Sequence, residues 1–361
     1  MKRLSHQFLG ISITFALVAS ACSDEKMKIE EAPAREATDA AAPAVDAGPS
    51  VDASARVAVA FDPRKAELPE GLAIDGDTAY IGLAITGEIV KVDLRTGARV
   101  PFGRVPFPVA VDGRPGGVVT GLAIDLEKNV YATLDVTPPQ GDAGSTDAGA
   151  GPVTGIYKIP PAGGVAALFA RSPELVYPNG MSLVGSDLFV TDSIVGAVFK
   201  VDLRTGGVAK WVQDETLLPK ADNCGPSNVR LGANGIARVD NAFFVSNTDR
   251  AQIVRVPIDG SGNPGPPVVF LGPDCARLFG VDDVRGLDTG ELAYAVNYAN
   301  TVEAVAPDGR IRTLLKGSPL DGPASLEVHG PAKRLVVTNS AFATFFSNTN
   351  PAPSLVSFPW N

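Results

Sequence analysis

Short stretches of the chain alternate apolar and polar side chains, and each ends in a glycine-bearing turn. Ile89-Val90-Lys91-Val92-Asp93 runs into Leu94-Arg95-Thr96-Gly97, and Val198-Phe199-Lys200-Val201-Asp202 into Leu203-Arg204-Thr205-Gly206. Ile253-Val254-Arg255-Val256-Pro257 runs into a turn holding Asp259-Gly260. Alternation punctuated in this way predicts antiparallel hairpins. No segment beyond the first residues carries a 3.6-residue apolar period, so long helices are not expected.

The hairpins recur as one unit. Each opens on a short polar head: Glu70-Gly71, Thr120-Gly121, Asn179-Gly180, Asn234-Gly235, Asp282-Asp283 and Ala324-Ser325. Successive heads lie 42 to 59 residues apart, and the longest interval holds the low-complexity run Pro138 to Gly149, which belongs in a surface loop. A period of this length with only strand signals predicts an all-β fold, a six-bladed β-propeller with about four strands per blade. Val57-Ala58-Val59-Ala60-Phe61 precedes the first head and is strand-like. It is expected to pair in the last blade beside Ser354-Leu355-Val356-Ser357-Phe358, closing the ring and removing an open edge.

In such a ring the innermost strands all begin at one mouth of the central channel, so the heads converge however far apart they lie in sequence. Glu70, Asn179, Asn234 and Asp282 bring two carboxylates and two amides to that mouth. This is an oxygen-rich first shell for a hard divalent cation, Ca²⁺ above all, with water completing the shell. Taken singly, Asn-Gly and Asp-containing pairs are ordinary turn chemistry. Their coincidence at one phase of four repeats favours a site.

Composition changes the picture at the N-terminus. Lys2 and Arg3, an apolar run of 11 residues from Phe8 to Val18, and Ala19-Ser20-Ala21-Cys22 read as a lipoprotein signal that leaves Cys22 lipidated; an ordinary secretory signal cut near Ala21 is the alternative. Residues 23–56 are rich in Ala, Asp, Glu and Pro and poor in large apolar side chains, the composition of a disordered tether. The expected organisation is therefore signal 1–22, tether 23–56 and propeller 57–361, exported and lipid-anchored to a bacterial membrane, in the periplasm or outside. Removal of Lys2 and Arg3 takes the net charge from −9 to −11, which argues against nucleic acid and anionic membrane surfaces as partners. With Cys22 assigned to lipid, Cys224 and Cys275 remain. In an exported chain they favour a disulfide, with two unrelated buried thiols as the alternative.

The run Pro178-Asn179-Gly180-Met181 followed by Asp187-Leu188-Phe189-Val190-Thr191-Asp192-Ser193, with Pro69-Glu70-Gly71, Asn234-Gly235 and Asp282, resembles the gluconolactonase family, which also takes in senescence marker protein and luciferin-regenerating enzyme. The likeness covers about residues 60–358 and extends to Gly322-Pro323-Ala324-Ser325-Leu326 and Val337-Thr338-Asn339-Ser340-Ala341-Phe342. It implies one divalent metal held by Glu70, Asn179, Asn234 and Asp282. It also implies that Asp282 acts as general base on a water that attacks a lactone carbonyl. Asp283, where the family usually has Gly, could exchange roles with Asp282 by a one-residue shift. Tyr177 stands where sugar-lactone members often carry a substrate-binding Arg, so with Thr120 it is the candidate substrate contact, and a less charged lactone or ester is favoured.

Of the two histidines, His6 falls in the signal, and His329 in Glu327-Val328-His329-Gly330-Pro331 is expected in a solvated turn. A histidine-pair or Ser-His-Asp mechanism therefore has no base. Trp211 and Trp360 are expected in blade cores. The expected function is a monomeric metal-dependent hydrolase of a lactone or related ester. The alternative is a propeller that binds a ligand or protein at its mouth without turnover.

Overall fold

The structure is a computed structural model that describes residues 55–108, 115–136, 151–220, 224 and 230–360. The signal, Cys22, the tether as far as residue 54 and the whole low-complexity run Pro138 to Gly149 lie outside these residues. No helix among the described residues is long and apolar enough to cross a membrane.

Six antiparallel sheets stand in a ring. Blade 1 is built from Pro69–Asp75, Thr78–Leu83, Glu88–Asp93 and Arg99–Arg104, with the two-residue strand Gly164–Val165 added in parallel on its outer edge. Blade 2 has a broken inner strand, Gly117–Val118 and Leu122–Ile124, both paired with Val130–Val136; Gly155–Ile159 and Ala167–Ala170 follow. Blade 3 comprises Pro178–Val184, Asp187–Asp192, Ala197–Asp202 and Val208–Gln213. Blade 4 comprises Ala233–Val239, Ala242–Asn247, Gln252–Pro257 and Val268–Leu271, and blade 5 Val281–Gly286, Leu292–Val296, Thr301–Val305 and Ile311–Lys316. Blade 6 takes Pro323–His329, Arg334–Asn339 and Ser354–Pro359 from the C-terminal end and Arg56–Ala60 from the N-terminal end. Arg56 faces Ser357 and Ala60 faces Ser354 across that seam, the closure expected from the sequence. Two short helices, α1 (Cys275–Leu278) and α2 (Phe342–Phe346), lie in connections of blades 5 and 6.

The apolar residues sort into six clusters, each joining one blade to the next. Tyr80 and Ile89 of blade 1 meet Leu122 and Tyr157 of blade 2, and Val336 and Leu355 of blade 6 meet Leu72 and Ile81 of blade 1. A strand buried on both faces gives nearly continuous apolar burial instead of clean alternation: Ala242–Asn247 is buried at every position. The ring is thus one cooperative core, wrapped around an axis that polar groups line.

Trp211 packs edge-on against Phe189 and Phe243 between blades 3 and 4, and Trp360 is buried in the cluster joining blades 5 and 6. The expectation for His329 is corrected. It is 4% exposed at the end of the inner strand of blade 6, and its Nε2 lies 2.8 Å from Asp77 Oδ1. The histidine links blade 6 to blade 1 instead of lying in a solvated turn.

Candidate functional site

Each inner strand is irregular at its head. The register with the second strand shifts between Pro69 and Leu72, Pro178 and Met181, Ala233 and Ile236, Val281 and Val284, and Pro323 and Leu326. In blade 2 the strand is interrupted over residues 119–121. A bulge re-aims the side chain that occupies it, and here it aims the heads toward the axis. The recurrent glycine after the head therefore serves crowding and not a hairpin turn. A Cβ on Gly71 would stand 2.8 Å from Thr120 O, and one on Gly180 would stand 2.6 Å from Asn234 O. Each glycine lets the next blade's head approach.

Hydroxyls from the second strands fill the bulges and clip neighbouring blades together. Thr133 Oγ1 accepts from Gly121 N–H, Ser246 Oγ from Gly235 N–H and Thr338 Oγ1 from Ser325 N–H. Thr338 in turn donates to Glu70 O, Thr191 to Asn234 O and Ser246 to Asp282 O, each across a blade boundary. Thr120 Oγ1 lies 2.8 Å from Thr133 Oγ1 and donates to Pro178 O, so its hydroxyl belongs to this clip system.

Glu70, Thr120, Asn179, Asn234 and Asp282 come together around one small cavity of about 20 Å³. Tyr177 does not line it. Burial, and then the charges of Asp135, Glu70 and Asp282, hold its hydroxyl far above the usual phenol range. Asp192 fixes this stretch by accepting from Val176 and Tyr177 N–H.

The amides are oriented by their supports. Ser193 Oγ donates to Ala233 O and Thr248 Oγ1 donates to Val281 O, so each hydroxyl proton is already used. The same oxygens can then only accept, which places Asn179 Nδ2 at 3.1 Å from Ser193 and Asn234 Nδ2 at 2.9 Å from Thr248. The Oδ1 atoms are left for other partners. Ser193, Thr248, Asn297 and Ser340 follow the second strands at equivalent positions and attend Asn179, Asn234, Asp282 and Glu70 in turn. Their polar character was readable in Thr-Asp-Ser and Ser-Asn-Thr, but their pairing with the heads required the ring.

Three carboxylates line the cavity, those of Glu70, Asp282 and Asp283. Glu70 Oε2 is buried and has no hydrogen-bond partner, and burial, then Asp282 and Asp283, raise its carboxyl well above the usual range. Burial and the adjacent Asp283 push Asp282 up to about 7, opposed by N–H groups of Asn297 and Asn234. Asp283 is engaged otherwise: Oδ1 accepts from Val284 N–H and Arg285, and Oδ2 accepts from Leu326 N–H of blade 6 at 2.9 Å. Arg285 also binds Ile236 O and Glu327 and stands between this cavity and a wider one of about 360 Å³ further along the channel. It closes the floor of the site.

An orphaned buried oxygen, a second buried carboxylate and two amides fit a hard divalent cation, which two negative charges would neutralise. Among the described residues no group of three His, Cys, Asp or Glu side chains does so, and the amides are needed to complete the donor set. Cys224 and Cys275 are joined, with Cα atoms 5.2 Å apart, between the approach to blade 4 and the start of α1.

No protein-family model and no curated sequence matches the chain. Its shape does have solved counterparts. A calcium-binding protein, regucalcin, from Agrobacterium tumefaciens is 19% identical with a TM-score of 0.56, over 84% of this chain and 92% of that one. A protein proposed to be a gluconolactonase is 16% identical with a TM-score of 0.57, over 88% and 94% of the two chains. Luciferin-regenerating enzyme is 13% identical with a TM-score of 0.54, over 81% and 91%. At these identities the common property is the fold: the chain is a six-bladed β-propeller of the shape found in regucalcin and luciferin-regenerating enzyme.

Proposed function

We propose that this propeller is a metal-dependent hydrolase of a lactone or related ester, with Glu70, Asn179, Asn234 and Asp282 as the ligands of one divalent cation, Ca²⁺ first among candidates. The observation that carries the reading is Glu70 Oε2, buried and unpartnered beside Asp282 in a ring of oriented amides. A cation bound there would polarise a carbonyl and lower the pKa of a coordinated water. The likeness in shape to a protein proposed to be a gluconolactonase supports the class of substrate.

The chain's own residues have separable roles. Asp282 is the candidate base, because Asn234 and Asn297 orient its carboxylate without neutralising it. Asp283 is unsuited to that task, since both of its oxygens are held by Val284, Leu326 and Arg285. Ser193 and Thr248 keep the amide oxygens on the axis, and Arg285 keeps water from entering through the floor. A propeller that binds without turnover is the second reading; it is favoured by Thr120, whose hydroxyl is committed to the fold. Metal content of protein purified without added calcium, with a panel of lactones, esters and phosphotriesters assayed with and without chelator, tests both. Bound metal with chelator-sensitive hydrolysis is expected, whereas metal without any turnover would select the second reading.

A further inference from the structure

The cavity among the heads holds about 20 Å³, enough for an ion or a water but not for a substrate. With an ion in it, a reacting carbonyl can come only to its mouth, and the remainder of any substrate must lie on the rim. Two aromatic groups are tied to the rim by residues that attend the acidic heads. In blade 5, Asn297 donates to Asp282 Oδ2, and the next residue, Tyr298, stacks on Phe279 with ring centroids 5.0 Å apart and planes 10° from parallel. Tyr298 is 53% exposed. In blade 6, Ser340 stands beside Glu70, and two residues later α2 begins. It carries Phe342, Phe345 and Phe346, the last 43% exposed and set edge-on to Phe345.

Among the described residues, the cation lining the cavity is Arg285, and its guanidinium is taken by Asp283, Glu327 and backbone carbonyls. A carboxylate or phosphate on the substrate would meet no available positive side chain there, whereas an apolar substituent would cover exposed rings. Burying such surface is favourable at roughly 25 cal/mol per Å².

We propose that the rings of Phe279, Tyr298, Phe345 and Phe346 seat the non-reacting part of an uncharged substrate bearing an alkyl or aryl substituent, so that the site prefers apolar lactones or esters to polyhydroxylated ones. This rests on the hydrolase reading above. The two can fail separately.

The test is a series of γ-lactones, unsubstituted and with linear alkyl groups from ethyl to octyl at the ring carbon bearing oxygen, with gluconolactone as the polar comparator. In the full chain kcat/KM should rise about two- to fourfold per added methylene. The gradient should flatten in Tyr298→Ser and Phe346→Ser, both at exposed positions. Gluconolactone turned over as well as the octyl lactone, with no gradient, would overturn the seat and leave the hydrolase reading standing. If no lactone is hydrolysed, binding of the non-hydrolysable octyl γ-lactam is measured by calorimetry. Saturable binding weakened at least tenfold in Tyr298→Ser would support the seat while removing the hydrolase. No binding would overturn the seat.

Discussion

The carboxylate of Asp283 accepts from two backbone N–H groups and from Arg285, while that of Asp282, one residue earlier, meets only side-chain amides. Substitution should therefore separate them. Asp282→Asn keeps an oxygen and removes the proton acceptor: metal should bind more weakly and turnover should fall by ~10²–10⁴. Metal-free Asp282→Asn should be no less stable than the parent, because the buried repulsion with Glu70 is gone. Asp283→Asn should lower stability by about 3 kcal/mol in denaturant titration, since it leaves Arg285 buried with one carboxylate fewer. Its metal content should change little. Loss of metal in Asp283→Asn with full retention in Asp282→Asn would reverse the assignment. A third acid, Asp135 of blade 2, is pushed up to about 7 by burial and by Asp192. Between about pH 4 and 7 the folded chain then holds a proton that the unfolded chain has lost, so this group makes stability fall as pH rises through that window. Asp135→Asn should remove that slope and stabilise the protein at pH 8 by on the order of 2 kcal/mol, with no gain at pH 3. Unfolding free energies at both pH values measure it.

At the scale of the strand, the head and its glycine form one device. The bulge turns the head inward, the missing Cβ admits the next blade, and a hydroxyl from the second strand fills the gap. Gly180→Ala would drive a methyl into Asn234 O and Gly235 Cα, which are backbone and cannot swing aside. A loss of about 2–3 kcal/mol is expected in thermal or denaturant melts. The repeat was readable in the sequence because Glu70-Gly71, Asn179-Gly180 and Asn234-Gly235 recur in phase with the alternating strands. What the glycines do was not readable, since Asn-Gly names a turn when viewed locally and the crowding comes from a blade about fifty residues away. Separation along the chain also hid Arg285, whose partners Ile236 and Glu327 lie 49 and 42 residues away, and Asp77, which lies 252 residues from its partner His329. Each side chain meets groups on another blade, and no local period reports such a meeting. The aromatic residues of α2 were visible as residues, yet their place on the rim followed only from Ser340 and Glu70 facing one another.

For the whole molecule, six interfaces of similar make-up mean that loosening any one loosens the ring. A cation shared by blades 1, 3, 4 and 5 would tie four of the six together. Excess chelator should then lower Tm by about 5 °C if the ion is present at a hundred times its dissociation constant. An unchanged melt would count against a metal at the axis. Blades 2 to 5 are each drawn from one continuous stretch of chain, and blade 1 gains only Gly164–Val165 from beyond its own stretch; blade 6 is different, because Arg56–Ala60 must meet Ser354–Pro359 from the other end. A protein lacking residues 55–60 should keep its strand content but show a lower Tm and a tendency to associate through the uncovered edge of Ser354–Pro359, visible by light scattering.

That seam also orders events in time. A ribosome delivers Arg56–Ala60 before any of the six heads, yet its partner arrives almost three hundred residues later. Through all of that interval the ring stands open, with a bare strand at each end and the heads of blades 1 and 5 free to drift apart. Completion is withheld until Ser354–Pro359 is made, so a chain cut short anywhere before Ser354 has blades but no circle. Of the described strands, the first to be made is the last to find its place.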